Sequence, residues 1–174
     1  MSHIARRIAH GVLPYLAGFI LLAAMPPAMA QAQTPDTQAL QSFSGTWHCA
    51  GHFVSNGAAI SSTIAFEWNE AAHALLVHHD DTAPNSYHAI ELWAASKEPG
   101  EYRNSIVDAY SGMRWFSSPG LAGTALSWTR MDQGQAKERF VYSRTGPASM
   151  TVDWLVAKDH VKLVLGDALE CQRA

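Results

Sequence analysis

Two cysteines stand almost as far apart as the chain allows. Cys49 falls in the first strand-like run and Cys171 lies three residues from the end, and the 174-residue chain has no others. A bond between them would join the start of the fold to its finish. In a meander of antiparallel strands the first and last strands meet only when the sheet closes on itself, so the pair predicts a closed barrel in place of an open sheet.

The redox reading of the pair depends on where the chain resides. Residues up to His10 carry Arg6 and Arg7, Gly11 to Ala24 form an apolar stretch, and Ala28-Met29-Ala30 has the small-x-small pattern cut by signal peptidase. Residues 1–30 therefore read as a signal peptide, which sends the mature chain to the periplasm or outside the cell. The stretch is a poor membrane span, interrupted by Pro14 and broken at Pro26-Pro27. In an oxidising compartment Cys49 and Cys171 read as a disulfide, since a metal or redox pair normally sits as Cys-x-x-Cys.

Cleavage after Ala30 leaves 144 residues, the length of one domain with one core. Loss of Arg6 and Arg7 moves the formal charge from −3 to −5. The remaining basic residues, Lys97, Arg130, Lys137, Arg144 and Lys158 among them, are scattered and form no block that tracks phosphates. Nucleic acid is thereby excluded as a partner.

Past a flexible lead-in at 31–43, with one helical turn near Thr37 to Ser42, the dominant signal over 44–174 is period-two alternation broken by turn residues. Trp47, Cys49, Gly51 and Phe53 share one face of a first strand; Ile60, Ser62, Ile64, Phe66 and Trp68 share one face of a second. Eight more strands follow: Ala74 to Asp81, Tyr87 to Ala95, Tyr102 to Tyr110, Met113 to Ser117, Ala125 to Thr129, Lys137 to Arg144, Met150 to Val156 and Lys162 to Cys171. Turn chemistry at Pro84-Asn85-Ser86, Ser111-Gly112, Pro119-Gly120 and Thr145-Gly146-Pro147 separates several of them. No connection is long enough for a helical crossover, which excludes a parallel βαβ sheet. The fold class is all-β, an antiparallel up-and-down barrel of about ten strands.

Gly45-Thr46-Trp47 opening the first strand, with ten meandering strands after it, resembles the lipocalin-like (calycin-type) superfamily. The chain also resembles exported bacterial lipocalin-like proteins of unknown function, in Gly45 to Cys49, in His79-Asp80-Asp81 with Tyr87-His88, and in Gly166-Asp167 before Leu169 and Cys171. The resemblance implies a barrel around an interior pocket and carries no activity. Family lipocalins often lay an arginine from the last strand over the first-strand tryptophan, and Arg173 is the nearest match. Haem-binding barrels in the family hold iron through a late-strand histidine; the last strand here has none, and His160 falls in the turn before it.

Three places are candidates for ligand contact. In the first, pairing of Asp81 with Tyr87 sets Asp80 opposite His88, on a face shared with Leu76, His78, Ile90 and Leu92 that the alignment points inward. A carboxylate next to an imidazole orients a ligand or raises the histidine's basicity, although such pairs also satisfy one another with no ligand at all. In the second, a two-residue turn at Ser111-Gly112 places Asp108 and Tyr110 on one side of a hairpin and Arg114 on the other. Arg114 turned inward would grip a ligand carboxylate; Asp108 and Tyr110 turned inward would offer an acceptor and a hydroxyl. The third is Trp128, one of six tryptophans spread over six strands, of which Trp47 and Trp154 take clearly apolar positions.

Enzymatic signatures are missing: there is no Gly-x-Ser-x-Gly elbow, His-Glu-x-x-His, phosphate loop or dinucleotide fingerprint. The sequence predicts a barrel that binds a small, largely apolar or carboxylate-bearing molecule, with no cofactor. A solid structural or interaction module is the first alternative. The second is a metal- or haem-assisted enzyme using His78, His79 and His88, or a hydrolase with His88 as base and Asp80 as its orienter.

Overall fold

The computed structural model describes residues 37–98, 100–132, 137–157 and 162–174. The expected signal peptide and the beginning of the lead-in lie outside the described residues. Ten antiparallel strands close into a ring: β1 (Gly45–Phe53), β2 (Ala59–Asn69), β3 (Ala74–Asp81), β4 (His88–Ala95), β5 (Tyr102–Asp108), β6 (Gly112–Ser118), β8 (Ala125–Arg130), β9 (Glu138–Arg144), β10 (Ser149–Val156) and β11 (Val164–Arg173). A two-residue strand, β7 (Leu121–Ala122), clips onto β8. Neighbours in the ring follow chain order, and the circle is completed by β1 against β11. This is the up-and-down barrel that the alternation and the cysteine spacing call for.

Cys49 and Cys171 are register partners and form the disulfide. The seam they fasten is continuous, running from Trp47 opposite Arg173 to Phe53 opposite Asp167. The weak join lies elsewhere. Between β6 and β8 the described residues make two register pairs, Phe116 with Arg130 and Ser117 with Thr129.

At one end the interior is solid. Trp47, Phe66, Trp93, Phe116, Trp128 and Tyr142 are buried there, with ring centroids such as Trp93 to Tyr142 at 4.8 Å and Trp93 to Trp128 at 5.0 Å. Edge-to-face pairs such as Trp93 with Tyr142 contribute about 0.5–1.5 kcal/mol each beyond their buried area. A short helix, α1 (Thr37–Gln41), crosses this end and inserts Leu40 and, just past it, Phe43, both without exposed surface. Residues 37–43, assigned from the sequence to a lead-in outside the barrel, are thus part of its core: a helical turn with one apolar edge closes an end that strands leave open. The Trp47 indole donates to the Phe43 carbonyl at 2.9 Å, and Arg173 lies over the Trp47 ring at 4.3 Å. The arginine that the resemblance implied is in place.

Candidate functional site

The opposite end of the barrel holds a cavity of about 540 Å³. It lies where β1 and β10 finish and β2, β4, β6, β9 and β11 begin, because the bulky aromatic side chains are concentrated toward the other end. Phe53, Ile60, Phe140, Val152, Trp154 and Leu169 supply its apolar surface, and Tyr87 and Tyr110 stand at the mouth with rings stacked at 6.5 Å. Volume and lining fall in the range of small-molecule sites.

One wall is built on β5, β6, β8 and β9. The hairpin between β5 and β6 turns through three residues, Ala109-Tyr110-Ser111, and not through Ser111-Gly112. The Asp108 carboxylate accepts from the main-chain N–H of Tyr110 at 2.8 Å and of Ser111 at 2.6 Å, and Gly112 takes a φ of 66° that an L side chain resists. The pairing is displaced by three residues from the expected register, an odd number that exchanges the faces of one strand relative to the other. Asp108 and Arg114, expected on opposite sides, therefore both point inward and form a buried ion pair. Arg114 is also bound to Glu138 and donates to the Tyr87 hydroxyl at 3.3 Å. Glu138 accepts further from Arg130 at 3.2 Å and from the Trp154 indole at 2.9 Å. Burial alone would lower the Arg114 guanidinium, but Glu138, Tyr87 and Asp108 together hold it above its ordinary value.

The arrangement corrects a sequence expectation. Arg114 has two carboxylates of its own and is not a free grip for a ligand acid. The cluster also spans the short β6–β8 join, tying β6 to β9 where main-chain pairing lapses, and Phe116 packs on Phe140 beside it at 5.6 Å.

The facing wall is built on β2, β3 and β11. Asp81 accepts from the Ser62 hydroxyl at 2.6 Å, and His79 Nε2 lies 3.5 Å from the same carboxylate oxygen without hydrogen-bonding to it. His79 is nine-tenths buried and packs edge-on against Tyr87 at 5.2 Å. Asp167 reaches the cavity from β11. Burial pushes its carboxyl from the usual 3.8 up to about 7, with Asp81 and Asp153 adding to the rise and His79 and the Trp154 main chain opposing it. In the layer beneath, Glu91 accepts from the Trp93 indole at 2.7 Å and from Asn104 at 2.9 Å, and burial raises its carboxyl.

Of the remaining sequence candidates Tyr110 lines the cavity mouth, and the others lie elsewhere. Asp80 and His88 are paired at 2.8 Å in the expected register, but on the outer face, where both side chains are more than half exposed. As base and orienter they face solvent and not the cavity. Tyr110 stands at the mouth as an exposed hydroxyl bonded to Ser86. Trp128 is fully buried in the aromatic plug, and its indole N–H has no partner among the described residues. His78 and His79, being consecutive on a strand, point to opposite faces, so they do not converge on one ion with His88. Among the described residues no group of three or more His, Cys, Asp or Glu is placed to hold a metal, and His160 lies outside them. Sequence reasoning named His79 only as a metal candidate, did not place Asp81 in the cavity, and missed Glu138, Asp167 and Trp154 as lining residues. The signal for the first two was the unambiguous inward face of β2: Ser62 pairs with Asp81 and Ile64 with His79, so an inward Ser62 and Ile64 carry their partners in with them.

No family model matches the chain, and no curated protein is similar to it. It is similar to a solved structure described as "Structure of EF1p2_mFAP2b bound to DFHBI", at 13% identity and a TM-score of 0.42 over 79% of this chain and 98% of that one. The likeness is too slight to assign a function.

Proposed function

We propose that the protein is an exported barrel that binds a small, largely apolar molecule in the open half of its interior. The observation that carries this reading is the cavity of about 540 Å³, lined by aliphatic and aromatic side chains and by polar and charged groups set into two walls. A barrel built only as a scaffold gains nothing from an unfilled end, because each missing contact forfeits dispersion energy. The leader-like residues 1–30 and the Cys49–Cys171 bond support an oxidising destination, periplasmic or extracellular. Among the described residues no helix is long and apolar enough to cross a membrane.

Native mass spectrometry against a panel of lipids, haem and phenols tests the reading. A saturable one-to-one adduct is expected, and its absence across the panel would overturn it.

A second reading has one observation in its favour. Ile90, Val107 and Met113 form a row across the outer faces of β4, β5 and β6, with Leu92 and Trp115 in the next row, and Trp115 is 51% exposed. Such a strip is what an interaction module displays. The two readings are separable, since one uses the lumen and the other the outside.

A further inference from the structure

The two polar walls differ in how their charge is balanced. On the β5–β6–β8–β9 side two arginines, Arg114 and Arg130, meet three carboxylates, Asp108, Glu138 and Asp132, so each guanidinium is already ion-paired, although Arg114 Nε has no hydrogen-bond partner among the described residues. That wall has no positive charge left over. On the β3–β11 side Asp81 and Asp167 face the cavity and neither is paired with Arg114 or Arg130, while the His79 imidazole lies 3.5 Å from Asp81. His79 is itself incomplete, a buried side chain on the cavity wall whose Nε2 has no hydrogen-bond partner among the described residues.

Two carboxylates and an unsatisfied imidazole, set beside apolar surface and facing a wall whose arginines are already ion-paired, are complementary to a hydrogen-bond donor bearing positive charge. The opposite wall repels the alternative. An anionic head would have to displace Asp108 or Glu138 from Arg114 and would leave a carboxylate buried and unpaired. We propose that the ligand carries a protonated amine or a similar cationic donor, seated on Asp81, Asp167 and His79, with its apolar body against Ile60, Val152 and Leu169. The inference rests on the cavity being a binding site and names the chemical class of what occupies it.

The test uses three probes that share one apolar body and differ in the head group: naphthylmethylamine, naphthalenemethanol and naphthoic acid. Their affinities for the wild-type chain are measured by isothermal titration at about pH 8. The amine is expected to bind roughly ten- to a hundredfold tighter than the alcohol, the range for a charge-assisted contact out of bulk water. In Asp167→Asn and Asp81→Asn that preference should shrink to a few-fold while alcohol binding persists, which shows in the same sample that the variant is folded and the cavity intact. Equal binding of amine and alcohol by the wild type would overturn the proposal and leave the barrel a binder of neutral molecules. Tightest binding of naphthoic acid would overturn it too and return Arg114 or Arg130 to ligand contact. Failure of all three probes would count against the carrier reading itself.

Discussion

Asp167→Asn is expected to make the protein more stable, and increasingly so as pH rises. In the folded state burial holds this carboxyl near 7, whereas in the unfolded chain it titrates near 3.8. Between those values the folded state binds more protons than the unfolded one, so stability falls with rising pH across that window and is flat above it. At 1.36 kcal/mol per pH unit, the interval corresponds to about 4 kcal/mol, an upper value because solvent in the open cavity screens part of the charge. Asparagine keeps the shape of the neutral acid and cannot ionise. Urea denaturation followed by tryptophan fluorescence should give nearly equal stabilities for variant and wild type at pH 4, and a gap approaching that magnitude in favour of the variant at pH 8. The neighbouring carboxyls Glu91 and Asp153 add to the wild-type slope and are present in both proteins, so the difference reports Asp167 together with its coupling to Asp153. A gap that stays constant with pH, or an asparagine variant less stable at pH 8, would refute the placement of this side chain in the wall.

The other expectations concern what holds the cavity open. Glu138→Ala strands Arg114 and Arg130 without their shared carboxylate and should cost about 3–5 kcal/mol in urea unfolding; a loss under about 1 kcal/mol would mean that the cluster does not fasten β6 to β9. Gly166 is the extra residue of the irregularity between β10 and β11, and a Cβ there would meet the Trp154 ring at 2.4 Å. Gly166→Ala should therefore displace that indole from Glu138 and change the near-ultraviolet circular dichroism, while an unchanged spectrum would contradict the packing. Reduction of Cys49–Cys171, which are 122 residues apart, should remove up to about 5 kcal/mol in the loop-entropy model and lower the thermal midpoint; no shift in reducing buffer would show that the seam holds without it.

Architecture was largely legible because its signals are redundant. Alternation on β1 and β2 is strict, the apolar face of each is unmistakable, and the cystine specifies which strands meet. The site was less legible for two physical reasons. On β4 the polarity is inverted: Glu91 points in, beside Ala89 and Trp93, while Ile90 and Leu92 point out, so the apolar residues mark the wrong face. That inversion drew Asp80 and His88 to the inside on paper, with the pairing right and the facing wrong. On the β5–β6 hairpin the turn falls at 109–111 and not at 111–112, an odd displacement of the register that in a period-two structure exchanges the faces of one strand relative to the other. The expected register separated Asp108 from Arg114, which the fold brings together. Asp167 and Glu138 lie on strands with weak alternation, β11 and β9, and face one cavity from the two sides of β10.

The central claim is that the end of the barrel opposite α1 takes a ligand. It is tested most directly by methyl-resolved nuclear magnetic resonance during a titration with naphthalenemethanol. The account predicts saturable shifts at Ile60, Val152 and Leu169, with Leu40 and Met150 in the plugged end unmoved. Shifts confined to Ile90, Leu92 and Val107 on the outer face, or none at all, would contradict it.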